Sequence, residues 1–184
     1  MLWSGGLDAD ELRVYHRIMR NYLFEVIRAF VESGVDFVVC GGVACVLQGC
    51  ERTTFDIDIY ARLSPANLDR VIAAARELGL TPRIPEPIGD LKDEERRRVW
   101  IEEKNALVYT LIDEEGFVQV DLLVSYPIEY SRLESNADVF EIEGAQFLVS
   151  SKRDLLEVKR TVQPPREKDL QDIRALQELI DEKR

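Results

Sequence analysis

Apolar positions first recur at helical spacing. Leu23, Ile27, Phe30 and Val31 stand at i, i+4, i+7 and i+8, and Gly34 supplies a stop, so a helix is expected within 9–33. The pattern then becomes the run Val35-Asp36-Phe37-Val38-Val39-Cys40, suited to a buried strand and ended by Gly41-Gly42. Residues 43–50 can form a short helix. Phe55-Asp56-Ile57-Asp58-Ile59-Tyr60 alternates with the period of a strand. Phe55, Ile57 and Ile59 are expected to pack on one face, and Asp56 and Asp58 to project together from the other. Ser64 then offers an N-cap and Pro65 a first helical position. Leu68, Val71, Ile72, Ala75 and Leu78 form one apolar stripe, closed by Gly79.

Prolines 82, 85 and 87 mark 81–90 as a loop, and the densely charged stretch 91–104 reads as helical. Within it, Arg96-Arg97-Arg98 is expected on a solvated face among Glu94, Glu95, Glu102 and Glu103. Strand patterns at 106–112 and 117–124 flank the turn Asp113-Glu114-Glu115-Gly116, and a shorter pair at 138–142 and 145–149 turns at Glu143-Gly144. Ser150 or Ser151, with Asp154, opens a helix carrying Leu155, Leu156, Val158 and Lys159, broken by Pro164-Pro165. The last helix, 167–182, has Leu170, Ile173, Leu176 and Ile180 as its apolar side. The strands do not alternate cleanly with crossover helices, so the expected fold is α/β (α+β), a mixed β-sheet flanked by helices. The 184 residues suit a single domain: a helical region at 9–33, a sheet core at 35–149 and C-terminal helices at 150–184.

Charge narrows the function. Lys and Arg number 24 against 35 Asp and Glu, a net charge of −11, which repels polyanions and argues against general binding to DNA. The balance is uneven: residues 150–184 carry 9 basic and 8 acidic side chains, so a local basic pocket can form in that part. No stretch has the roughly 18 apolar residues of a membrane span. Residues 1–6 lack the basic and apolar regions of a secretion signal, and a cytoplasmic location is expected. Cys40, Cys45 and Cys50 are an odd count without a secretion signal, which argues against a disulfide framework, and a spacing of five with the only histidine far upstream is not a zinc pattern, so free thiols are expected. The lone histidine, His16, leaves little room for Ser/His or Cys/His catalysis.

The chemistry lies in the acids. Asp56 and Asp58 on one strand face repel each other unless a cation sits between them, and hard oxygen donors suit Mg²⁺ or Mn²⁺. Asp121 lies inside the apolar strand pattern 117–124, where an unpaired charge is costly. If that strand neighbours 55–60, three carboxylates converge and can hold two divalent ions for phosphoryl or nucleotidyl transfer. Gly41-Gly42, at a strand-to-helix turn, lets a phosphate approach backbone N–H groups.

The sequence Cys40-Gly41-Gly42, 13 residues, then Asp56-Ile57-Asp58-Ile59, with a later strand acid at Asp121, resembles the nucleotidyltransferase superfamily of the polymerase-beta-like type. Gly-Gly-Val-Ala followed by Arg52-Thr53-Thr54-Phe55-Asp56 looks most like minimal nucleotidyltransferases and the nucleotidyltransferase toxins of abortive-infection systems. The tail Ser151-x-x-Asp154-Leu155-Leu156-x-x-Lys159, then Arg166-x-Lys168-Asp169-Leu170-x-Asp172, is similar to their closing segment. Where most of the superfamily has Ser after the second Gly, this chain has Val43.

The resemblance implies a nucleotidyltransferase fold and Mg²⁺ or Mn²⁺ on Asp56, Asp58 and Asp121, with Asp121 also deprotonating the attacking hydroxyl. It implies an NTP held by Gly41, Gly42, Arg52, Thr53, Thr54 and Lys159, with Asp169 and Asp172 orienting Lys159 or the nucleotide. A nucleoside monophosphate would pass to an acceptor hydroxyl on tRNA, a protein or a small molecule. A toxin–antitoxin role would add a small protein partner. The alternatives are a non-catalytic nucleotide-binding or partner-regulating protein of the same fold and, less favoured, a metal nuclease. From the residues alone, Lys159 also reads as a helix-surface lysine, Asp169 and Asp172 as helix-start acids, and Arg52 as a salt-bridge partner of Asp56 or Glu51.

Overall fold

The computed structural model describes residues 22–116 and 118–182. His16, most of the helix expected at 9–33, and Phe117 lie outside these residues. Helix α1 (22–32) buries Val26, Ile27 and Phe30, and Gly34 follows it with a φ of +66°, a left-handed bend suited to glycine. Strand β1 (Phe37–Cys40) is buried throughout and runs directly into α2 (Gly41–Leu47). The helix expected at 43–50 thus begins two residues earlier, at the diglycine itself. Strand β2 (Asp56–Ala61) leads to α3 (Pro65–Glu77), which buries the expected stripe of Leu68, Val71, Ile72 and Ala75. Ser64 is its N-cap residue, without a side-chain capping bond.

The proline-rich loop contains a two-residue strand, β3 (Thr81–Pro82), and a 3₁₀ turn (Ile88–Lys92). Asp93 caps the shorter α4 (Glu94–Glu102) through the backbone N–H groups of Glu95 and Arg96. The three arginines of α4 meet Asp90, the carbonyl of Leu91, and Glu95 with Glu102. Strands β4 (Val108–Ile112) and β5 (Gln119–Leu123) form the expected hairpin, and α5 (Tyr130–Asn136) follows. The second hairpin, β6 (Asp138–Ile142) and β7 (Ala145–Val149), has the expected limits. Ser151 caps α6 (Lys152–Thr161), and α7 (Glu167–Asp181) completes the described chain.

Among the described residues, seven strands form one sheet in the order β3-β4-β5-β2-β1-β7-β6. It is mixed: β2 pairs antiparallel with β1 and parallel with β5. The alternation of β2 holds, with Ile57 and Ile59 fully buried in the main core. Phe55 stands before the strand and is 45% exposed, so it does not join them as expected. The main core includes Val120 and Leu122 of β5, while Val38, Tyr60 and Leu123 pack with Leu133 of α5 in a second cluster. The even positions of β2 and the odd positions of β5 therefore share the face opposite the main core. No helix among the described residues is long and apolar enough to cross a membrane.

Candidate active site

Register brings the acids together. In the parallel β2–β5 pair, Asp58 is the partner of Asp121 and Asp56 the partner of Gln119. A carboxylate oxygen from each of Asp56, Asp58 and Asp121 lies within 4.8 Å of the others. Asp121 is 9% exposed, and among the described residues none of the three has a basic side chain within ion-pair distance. Burial, followed by repulsion from Asp56, pushes the Asp58 carboxyl up to about 6, against the pull of the Gly42 N–H. Three hard oxygen donors with uncompensated charge fit a divalent cation.

Each acid has its own hydrogen-bond donor. Thr54 Oγ1 donates to Asp56 at 2.8 Å, and the Gly42 N–H donates to Asp58 Oδ2 at 3.2 Å. Thr110 Oγ1 and Gln119 Nε2 donate to the two oxygens of Asp121 at 2.7 and 3.0 Å. The diglycine is thus used first inside the protein. A Cβ on Gly42 would lie 2.5 Å from Thr54 Oγ1 and 3.1 Å from Arg52 Nη2.

The acids line a cavity of about 300 Å³ together with Gly41, Gly42, Arg52, Lys159, Arg166 and Lys168. Val108, Leu123, Tyr126, Val158 and Val162 give it an apolar wall. Thr53 and Thr54 line an adjoining cavity of about 290 Å³, which shares Arg52, Asp56 and Lys168 with the first. The expected site residues therefore converge, except that Thr53 and Thr54 stand one cavity over, with Thr54 tied back to Asp56.

Lys159 is not a surface lysine. It is 8% exposed and bridges Asp169 at 2.9 Å and Asp172 at 2.8 Å. Burial works against its charge, but the hydrogen bonds to Asp172 and Asp169 outweigh it and raise its pKa. Asp169 and Asp172 are likewise buried, and Asp169 is also the expected helix-start acid, since it lies in the first turn of α7 and its carboxylate accepts the Arg166 backbone N–H at 3.3 Å. Burial alone would raise the Asp169 carboxyl; hydrogen bonds from Arg166 and Lys159 hold it well below the usual carboxylate range. Arg52 pairs with Asp172 rather than with Asp56 or Glu51. Because the first two turns of α7 point Asp169 and Asp172 inward, Leu170 turns outward and is 45% exposed, contrary to its expected place in the core. Leu176 and Ile173 keep theirs.

Sequence reasoning missed Thr110, Gln119, Arg166 and Lys168 as lining or supporting residues. The strand period could have found Gln119, two positions from Asp121 on the same face. Arg166 and Lys168 were visible as the basic part of the tail motif.

No protein-family model matches the chain, and no curated protein matches it. Its fold does have solved counterparts. One is the lincosamide antibiotic adenylyltransferase LnuA, crystallised with lincomycin: 15% identity, TM-score 0.55, covering 85% of this chain and 95% of that one. A second is the antibiotic-resistance factor ANT(2'')-Ia: 14% identity, TM-score 0.53, covering 86% and 85%. A third is JHP933 from Helicobacter pylori: 16% identity, TM-score 0.50, covering 96% and 70%. The mixed sheet and its flanking helices are thus those of the nucleotidyltransferase fold.

Proposed function

We propose that this protein is a metal-dependent nucleotidyltransferase that moves a nucleoside monophosphate from an NTP to an acceptor hydroxyl, releasing pyrophosphate. The observation that carries this reading is the convergence of Asp56, Asp58 and Asp121 within 4.8 Å, without a basic partner among the described residues, at a cavity of about 300 Å³. That volume is at the lower end of small-ligand sites.

Asp56 and Asp58 would hold the divalent cation, Mg²⁺ or Mn²⁺, and Asp121 would complete the donor set. When bound, such a cation offsets charge on the attacking and leaving oxygens. Asp121, at the β5 side of the group, accepts the proton of the attacking hydroxyl. Arg52, Lys159, Arg166 and Lys168 line the same cavity and supply the positive potential that a triphosphate needs. Because Lys159 is already bridged by Asp169 and Asp172, it acts as a fixed charge rather than a swinging one. Thr53 borders the adjoining cavity, where its hydroxyl can meet phosphate oxygens, while the one O–H of Thr54 is committed to Asp56. The apolar wall around Val108, Tyr126 and Val158 accommodates the base and ribose.

The acceptor hydroxyl belongs to an RNA, a protein or a small molecule. The test is a paired labelling experiment in cell extract with each NTP and Mg²⁺ or Mn²⁺. Label at the α-phosphate should appear in an acceptor and label at the γ-phosphate should not. Transfer of γ-label, or no transfer of α-label from any NTP with either metal, contradicts the reading.

A further inference from the structure

Asp121 is gripped at both oxygens by side chains with no role in the proposed reaction. Thr110, its register partner across β4 and β5, donates to Oδ1 at 2.7 Å. Gln119, two residues earlier in β5 and therefore on the same face, donates to Oδ2 at 3.0 Å. A glutamine amide can face either way, but here its direction is fixed. Arg83 Nη1 donates to Gln119 Oε1 at 3.0 Å. A guanidinium has donors and no acceptor, so the carbonyl end must face Arg83 and the NH₂ end must face Asp121. Arg83 is anchored in turn, since its backbone N–H donates to the Thr110 carbonyl at 3.0 Å. Hydrogen-bond polarity thus runs one way, from Arg83 through Gln119 to Asp121.

This grip opposes a specific force. Asp121 stands across the sheet from Asp58, with Asp56 on the same face, and repulsion among three carboxylates favours turning one of them away. Thr110 and Gln119 each occupy one lone pair per oxygen, leaving the others free to face the cation and the attacking hydroxyl. We propose that Gln119, with its amide direction set by Arg83, is a positioning residue that holds Asp121 toward Asp56 and Asp58. The proposal rests on the function given above.

Two variants separate positioning from mere structure. Gln119→Met keeps the size and removes both hydrogen bonds. Gln119→Glu keeps an acceptor for Arg83 but offers no donor to Asp121. Both should lower kcat about tenfold, as loss of a ligand-orienting partner does, with KM for the NTP changed less than about twofold. Binding of Mn²⁺, followed by electron paramagnetic resonance of the free ion, needs no turnover and should weaken about tenfold in Gln119→Met. Gln119→Glu sets a fourth carboxylate beside Asp121 and opposite Asp56, so its metal-free melting temperature should fall, whereas Gln119→Met adds no charge and is the variant whose melting curve verifies the fold.

If Gln119→Met, folded by its melting curve, keeps both wild-type kcat and wild-type Mn²⁺ affinity, the residue is structural and the proposal is overturned. Asp121→Asn is the control. Full activity in that variant removes the proposed function and this inference with it. An inactive Asp121→Asn beside Gln119 variants with unchanged kcat and Mn²⁺ affinity overturns this inference alone.

Discussion

Gly41 and Asp58 are packed so closely that a Cβ on the glycine would lie 1.8 Å from the carboxylate Oδ2. Gly41 also has a φ of +57°, a conformation other residues reach only with strain. The glycine at the β1–α2 junction is therefore what lets the second acid of the Asp-x-Asp pair lie against the helix start.

Gly41→Ala should displace Asp58 and cost stability by about 1–3 kcal/mol, the usual range for a strained backbone position. The nucleotide-independent Mn²⁺ affinity should fall with it. Urea unfolding beside Mn²⁺ titration checks both, and wild-type values in both would show that the contact is slack.

Asp58 has a stability signature of its own. Its carboxyl is pushed up to about 6 by burial and by Asp56, whereas an unfolded aspartate titrates near ~3.9. Between those values the folded state holds more protons than the unfolded one. The group's contribution to metal-free stability therefore falls as pH rises through this window and stays lower above it. Asp58→Asn should raise metal-free stability above pH ~6 by on the order of 2 kcal/mol, and added Mg²⁺ should stabilise the wild type but not this variant. Unfolding curves in chelator and in excess Mg²⁺ on both sides of that window measure it. A variant less stable than the wild type in chelator at neutral pH would contradict the electrostatic account.

Lys159→Met should be among the most damaging changes in the chain. It leaves Asp169, at 0% exposure, and Asp172, at 3%, buried with one cation fewer, a loss of about 3–5 kcal/mol. The pH limbs follow from the shifts. The Asp169 carboxyl is depressed, so its contribution is full above ~4 and fades as pH falls toward its folded value. Lys159 is raised, so its contribution is full below ~10 and fades as pH rises through its folded value. Denaturant midpoints of wild type and variant across pH should converge at both extremes.

Thr54→Val removes the donor that fixes Asp56 and preserves the shape. A fall in kcat of about tenfold with stability within about 1 kcal/mol is expected, since the side chain is only half buried. Steady-state kinetics with a thermal melt distinguishes this from a folding defect, which would lower both.

Much of this site could be read from the chain. Period-two alternation placed Asp56 and Asp58 together, and an acid inside an apolar strand marked Asp121. The β6–β7 hairpin was bounded by its own turn at Glu143-Gly144. What periodicity cannot give is partnership. It tells which face Asp121 lies on, but not that β5 pairs with β2 rather than with another strand. The Arg52–Asp172 pair joins residues 120 positions apart, and no local pattern announces it. Leu170 departs from its expected face for a related reason: the apolar stripe suggests one helix face, while the ion pairs of Lys159 with Asp169 and Asp172 fix the rotation of the N-terminal part of α7.

The most direct measurement of the central claim is Mn²⁺ binding to the full chain and to Asp56→Asn, Asp58→Asn and Asp121→Asn, each verified as folded by its melting curve. The account predicts saturable binding to the wild type and a loss of affinity of tenfold or more, about 1.4 kcal/mol, in every one of the three variants. Wild-type affinity in all three, or a wild type that binds no Mn²⁺ with or without NTP, would contradict it.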